Sequence, residues 1–191
     1  MILSTLDLNP VIDLTDEQFY QLCQANPEVK FERNANGTLV IMSPTGGETG
    51  NRNFEIGADF AIWNRQTQLG ICFDSSTGFR LPNGAQRSPD IAWIKQSRWQ
   101  ALTPAQRERF PPIAPDFVLE LLSPSDTLPA SQTKMQEYIN NGVQLGWLIE
   151  RKTRTVQIYR PGKPVETLNN PSQLSGEAIL PGFTLDMSLV W

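Results

Sequence analysis

"PDFVLELLSPSD" (residues 115–126) decides how this chain reads, because Glu120 stands inside an apolar run from Phe117 to Leu122. A short, β-branched and aromatic run bounded by proline and serine is the pattern of a buried strand. On a strand Glu120 shares a face with Val118 and Leu122, while Phe117, Leu119 and Leu121 take the other. One sheet face thus carries a carboxylate. A carboxylate taken out of water is normally protonated, paired with a buried Arg or Lys, or bound to a metal.

Reading outward from that strand, "PASQTKMQEYINNG" carries helix punctuation at both ends, with Pro129 near the start and Asn141-Gly142 at the stop. "LGWLIE" and "TVQIYR" follow as strands around an Arg151-Lys152-Thr153 turn. Upstream, "GICFDSSTGFRL", a Pro82-Asn83-Gly84 turn and "SPDIAWI" are further short strands, and "TPAQRERF" is a short helix after a polar excursion at Trp99. The N-terminal third opens with a helix in "LTDEQFYQLCQANP", capped by Thr15, followed by a hairpin of "VKFER" and "TLVIMSP" about Asn36-Gly37. "SPTGGETGN" reads as a loop without the Gly-Lys-Ser/Thr ending of a phosphate-binding loop, and "RNFEIGADFAIWNRQ" as a helix on which Glu55 and Asp59 share a face. The C-terminal segment, with Pro171 and Pro181-Gly182, reads as loop and edge structure. Ser123 and Ser125 are expected to bond the backbone at the strand-to-helix turn. The order of elements predicts a single α+β or α/β domain over residues 1–191 with a mixed sheet.

Composition narrows the chemistry. The 191 residues contain no histidine, which removes Ser-His-Asp and Cys-His nucleophile systems and most catalytic zinc sites. Two cysteines, Cys23 and Cys72, are too few for a disulfide framework or zinc module and read as small hydrophobes. Chemistry falls to carboxylates, lysine and hydroxyls. Hydrophobic residues at 39% and charged residues at 19% are those of a globular chain, and "MILSTLDLNPVIDLTDEQ" lacks the features of a secretory signal, so a cytoplasmic location is expected. The net charge of −4 disfavours broad attraction to nucleic acid but leaves room for a local basic face.

Asp90 opens "DIAWI" directly after Pro89, so it meets Glu120 if the two strands are neighbours. Two converging carboxylates suit Mg²⁺, with Mn²⁺ as a substitute, and Lys134 begins the helix that folds back over the Glu120 strand. Met135, Tyr138 and Ile139 are its expected packing neighbours, and Glu137 is expected in solvent. Arg151, Lys152, Arg154, Arg160 and Lys163, with Arg98, Arg107 and Arg109, are either phosphate contacts or a solvated surface.

Taken together, "SPD", "PDFVLELLSPSD", "KMQEYINNG", "LGWLIE" and "IYRPG", with "TGNRNFEI", "FDSSTGFRLPNGA" and "LPGF", resemble the cyanobacterial branch of the Uma-two family, restriction-endonuclease-like members of the PD-(D/E)XK nuclease superfamily. The resemblance covers nearly the whole chain. It implies a restriction-endonuclease-like fold, a mixed central β-sheet flanked by helices with an N-terminal helix and β-hairpin. It further implies a Mg²⁺-dependent endonuclease acting on nucleic acid, DNA first, as a homodimer. Asp90 falls on the first metal-binding acid, Glu120 on the second, and the backbone carbonyl of Leu121 on a further metal ligand. The superfamily's lysine two residues after the second acid is Leu122 here, and Lys134 resembles the lysine of branches in which that role moved to the following helix. An additional acid from the first core helix falls on Glu55, with Glu48 as competitor. Two other readings stand beside this one: a catalytically inactive nuclease-like binding module, motivated by Leu122 and the acidic total, and a homodimeric interaction protein using Trp99 and Trp191.

Overall fold

A computed structural model describes residues 4–124 and 126–191 of the chain, so Ser125 and its expected backbone bond lie outside the described residues. The Glu120 strand, β8 (Phe117–Leu121), is an inner strand of a six-stranded mixed sheet ordered β11-β10-β9-β8-β7-β4. Its companions are β4 (Gly70–Asp74), β7 (Ile91–Lys95), β9 (Leu145–Glu150), β10 (Thr155–Tyr159) and β11 (Glu166–Asn169). β8 runs antiparallel to β7 and parallel to β9. A parallel pair needs a crossover, which is supplied by helix α5 (Leu128–Asn140). α5 begins at Pro129's end and stops at Asn141, where Gly142 takes a φ of +108° that a side chain would resist.

Each face of β8 meets a different layer, as period-two alternation requires. Phe117, Leu119 and Leu121 pack with Trp147 and Ile149 of β9 and with Ile56, Phe60 and Trp63 of helix α2 (Gly47–Thr67). Phe60 lies 5.1 Å from Phe117 and 4.2 Å from Phe183, ring centre to ring centre. Val118 and Leu148 face the opposite way, under Met135 and Tyr138 of α5. Gly146 on β9 lets this helix approach closely, since a Cβ there would stand 2.5 Å from the Met135 side chain. Glu120 belongs to the α5 face.

The smaller sheet, ordered β1-β3-β2-β6-β5, holds β1 (Ser4–Leu6), β2 (Lys30–Arg33), β3 (Leu39–Met42), β5 (Phe79–Arg80) and β6 (Gln86–Arg87). β2 and β3 form the expected hairpin about Asn36-Gly37, with Gly37 at φ +89°. Helix α1 (Asp16–Ala25) carries a capping box between Thr15 and Gln18, and Asp16 ties it to Arg33 and Arg80 of the small sheet. Helices α3 (Gln96–Gln100) and α4 (Pro104–Arg107) fill the excursion between β7 and β8.

Three expectations change. The "GGETG" stretch is the N-cap and first turn of α2, where burying Thr49 offsets the weak helical preference of glycine. The C-terminal segment is core rather than edge: β12 (Gln173–Ser175) and β13 (Thr184–Asp186) form a two-stranded sheet, and Leu174, Leu180, Phe183, Leu185, Met187 and Val190 are buried against α2 and β8. The tryptophans offered as a dimer surface are partly covered, Trp99 by Phe73 at 5.1 Å and Trp191 by the core and by its bond to the Pro171 carbonyl at 3.1 Å. The exposed large apolar side chains include Val11, Phe54 and Ile62 instead. Among the described residues, no helix is long and apolar enough to cross a membrane.

Candidate active site

Ile91 of β7 lies opposite Leu119 of β8. One step along the same antiparallel register brings Asp90 opposite Glu120. Leu122 donates its N–H to Ile149 on β9 at 2.9 Å, so by alternation Leu121 turns its N–H and its carbonyl toward β7. Its N–H meets Asp90 Oδ2 at 2.8 Å. The residue that would continue the ladder opposite Leu121 is Pro89, which has no N–H to give. The Leu121 carbonyl therefore receives no ladder bond from Pro89, at the strand end where two acids come together. Asp90 and Glu120 occupy a non-hydrogen-bonded position, the kind at which opposed side chains stand closest.

Cations and donors converge on this pair from other elements. Glu120 Oε1 lies 2.9 Å from Lys134 Nζ and accepts from the Tyr138 hydroxyl at 2.9 Å, both one turn apart on α5. Lys134 Nζ also lies 3.0 Å from Glu32 Oε1 on β2, whose side chain is only 4% exposed. Glu32 accepts from the Ser88 N–H at 2.8 Å and pairs with Arg87 at 3.3 Å. Arg87 in turn reaches Glu137 at 2.6 Å and Asn34 at 2.8 Å. Asn53 of α2 donates to Asp90 Oδ1 at 3.1 Å. Glu32, Asn53, Asp90, Glu120, Leu121 and Lys134 line one cavity of about 830 Å³ between the two sheets.

Burial and like charges set the electrostatics. Glu120 is pushed up to about 7 by burial, with Asp90 and Glu32 adding to the rise and Lys134 opposing it. Burial likewise raises Asp90, despite its bonds to Leu121 and Asn53. Burial would raise Glu32 too, but Lys134 and Arg87 outweigh it and hold its carboxyl below the usual range. For Lys134 the two carboxylates overcome desolvation and push its pKa up, so the ammonium stays charged. Lys30, which lines the same cavity, and Lys134 are the cations that temper the rise at Asp90.

The family model described as "Uma2: Putative restriction endonuclease" matches residues 16–188. The chain belongs to the Uma2 family. In fold it is similar to the crystal structure described as a putative nuclease belonging to DUF820 from Anabaena variabilis ATCC 29413, with a TM-score of 0.70 and 20% identity over 84% of this chain and 89% of that one. No curated protein matches. The restriction-endonuclease-like architecture, a mixed central sheet with few helices, is thereby that of the chain.

Of the residues singled out by the Uma2 resemblance, Asp90, Glu120, Leu121 and Lys134 meet in the cavity. Lys134 is turned toward the carboxylates, reaching from α5 the acid that a lysine at position 122 would have flanked from the same strand. Of the acids expected from α2, neither Glu55 nor Glu48 lines the cavity: Glu55 lies near Asp59, whose carboxyl is raised by burial and by Glu55 and Asp186, and Glu48 is 79% exposed beside Arg52 and Arg151. The α2 row that faces the site is Thr49 and Asn53. Asp116 is a structural acid, accepting from the Lys95 N–H at 2.8 Å and pairing with Arg98 at 2.9 Å. Lys152 and Arg154 are exposed at the β9–β10 turn, and neither they nor Arg151 line the cavity. Glu137 is held by Arg87 rather than solvated. Glu32, Arg87 and Asn53 were not legible, since "KFER" offers only alternation and the partners lie about 40 to 100 residues away in sequence. Among the described residues, no group of three or more acidic, cysteine or histidine side chains is arranged to hold a metal. The donor set that does converge, two carboxylates and a carbonyl, is all oxygen and suits a hard divalent cation that keeps several waters.

Proposed function

We propose that the chain is a Mg²⁺-dependent endonuclease hydrolysing phosphodiester bonds of DNA at the Asp90–Glu120 site. The observation that carries this reading is the meeting of Asp90 and Glu120 across β7 and β8 with Lys134 Nζ 2.9 Å from Glu120. The family description supports hydrolysis of DNA, and the oxygen donor set supports Mg²⁺ or Mn²⁺ over softer metals. Asp90, Glu120 and the Leu121 carbonyl would hold the ion, which supplies charge neutralisation at the scissile phosphate and acidifies a water.

The chain's own groups do the rest. Asn53 and the Leu121 N–H each engage one oxygen of the Asp90 carboxylate, and Tyr138 and Lys134 both engage Glu120 Oε1, which leaves a lone pair on each Asp90 oxygen and the whole of Glu120 Oε2 for a ligand. Lys134 has three donors and two carboxylate partners, so one donor remains for a phosphate oxygen or an attacking water. Glu32 keeps the ammonium charged and in place.

Isothermal titration of Mg²⁺ and Mn²⁺ into wild type and Glu120→Ala, followed by plasmid nicking on the same samples, tests the proposal. Metal binding and nicking that both disappear in Glu120→Ala are expected. Nicking by wild type that persists in Glu120→Ala, or an absence of metal binding by wild type, overturns it.

A further inference from the structure

Two arginines outside the cavity lining are partly buried without being firmly paired. Arg52 lies on α2 and Arg151 just beyond β9, and each places Nη2 3.6 Å from Glu48 Oε2. That separation is too long for a hydrogen bond. The arginine side chains are 26% and 24% exposed, whereas Glu48 is 79% exposed. The Nε of each arginine is buried and has no hydrogen-bond partner among the described residues. Arg52 spends one Nη1 bond on its neighbour Asn51, at 2.8 Å. Two fork-shaped donors therefore share a single solvent-facing carboxylate that satisfies neither. The contrast with Arg160 is direct: it lies in the same basic cluster but is engaged by Glu166 at 2.9 Å and Glu177 at 2.5 Å.

The location is set by two registers. On α2 the Glu48–Arg52 row adjoins the Thr49–Asn53 row, which lines the cavity. On the sheet, the β8–β9 register ends with Leu121 opposite Ile149, and Arg151 follows just past the end of β9, at the end of the sheet where Leu121 and Leu122 line the cavity. We infer that Arg52 and Arg151 form a docking site for one backbone phosphate of the nucleic-acid strand whose scissile bond enters the cavity, with Glu48 as the internal carboxylate that this phosphate displaces. The inference rests on the proposed nuclease reading and extends it to a binding site outside the carboxylates. A phosphate offers several acceptor oxygens to the two guanidinium planes, and its charge matches theirs better than one carboxylate does. Lys152 and Arg154, exposed at the same turn, have no such arrangement.

Fluorescence anisotropy of a short labelled DNA duplex, in Ca²⁺ and across a salt series, tests the site in the full chain. Arg52→Ala with Arg151→Ala should raise Kd about tenfold or more and lower the slope of log K against log salt by about 0.9, the change expected when one phosphate is no longer neutralised. Arg52→Lys with Arg151→Lys should keep the slope, which separates missing charge from failed folding. Glu48→Gln should tighten binding about two- to fivefold by removing the competitor. Wild-type affinity and slope in the double alanine variant overturn the inference, as does failure of the wild type to bind the duplex. Arginine-dependent binding of inorganic phosphate with arginine-independent binding of duplex assigns the pair to free phosphate and overturns it too. Nicking that depends on Glu120 while duplex binding ignores both arginines would leave the catalytic reading standing and remove this one alone.

Discussion

Glu32 shows how much a single buried carboxylate can organise. It is held ionised by Lys134 and Arg87 with its carboxyl below the usual range. The sign of the linkage follows: an acid whose pKa falls on folding adds stability above its unfolded value near 4.5, and that stability is lost as pH falls through the folded value. Glu32→Gln should therefore cost about 1.5–3 kcal/mol at neutral pH, because Lys134 and Arg87 each lose one of two carboxylate partners, keeping Glu120 and Glu137. Urea melts of wild type and variant should converge as the buffer is taken below the ordinary glutamate range. A gap that stays constant with pH would assign Glu32 a packing role only. Nothing in "KFER" marks this residue, because its value comes from Lys134, Arg87 and Ser88, which different elements deliver.

At the scale of elements, the end of the β7–β8 ladder is the informative feature. Pro89 withholds the N–H that would otherwise bond the Leu121 carbonyl, and Asp90 takes the Leu121 N–H instead. Pro89→Ala restores a donor at that position. Mg²⁺ affinity by calorimetry is expected to weaken about tenfold while the thermal midpoint changes little, the pattern of a supporting group around a metal site. Unchanged affinity would remove the carbonyl from the ligand set. The β8–α5–β9 unit was legible from sequence because every signal in it is local: an apolar run, Pro129 at the helix start, Gly142 after its end. The start of α2 and the C-terminal core were not, because glycine-rich and proline-punctuated segments read as loops until a neighbour's apolar surface makes their ordering favourable.

At the scale of the molecule, Arg87 joins the layers. It sits on β6 of the small sheet and contacts Glu32 on β2, Asn34 in the hairpin and Glu137 on the helix that covers the large sheet. Arg87→Ala takes the cation from Glu137 and one of two cations from Glu32, and is expected to destabilise the chain by about 3–5 kcal/mol in urea unfolding. It should also weaken Mg²⁺ binding, since β2 and α5, which clamp Lys134 between them, are deprived of their common tie. Reduced stability with intact Mg²⁺ affinity would mean that α5 alone positions the site. The site is thus a property of how two sheets and a helix are locked, and the 830 Å³ cavity lies where they meet.

The sequence by itself determined the α5 crossover and the faces of β8, because strand alternation and helix punctuation act over a few residues, whereas the meeting of Asp90 with Glu120 waited on β7 lying beside β8. The absence of histidine, too, is complete information about which chemistries are closed. Only the tertiary structure decided that Lys134 is shared between Glu120 and Glu32, that Asn53 rather than Glu55 faces Asp90, and that Arg151 belongs with Arg52. Those choices depend on helix rotation and on how two sheets pack, and these are set by the summed burial of apolar side chains across the whole chain rather than by any local pattern.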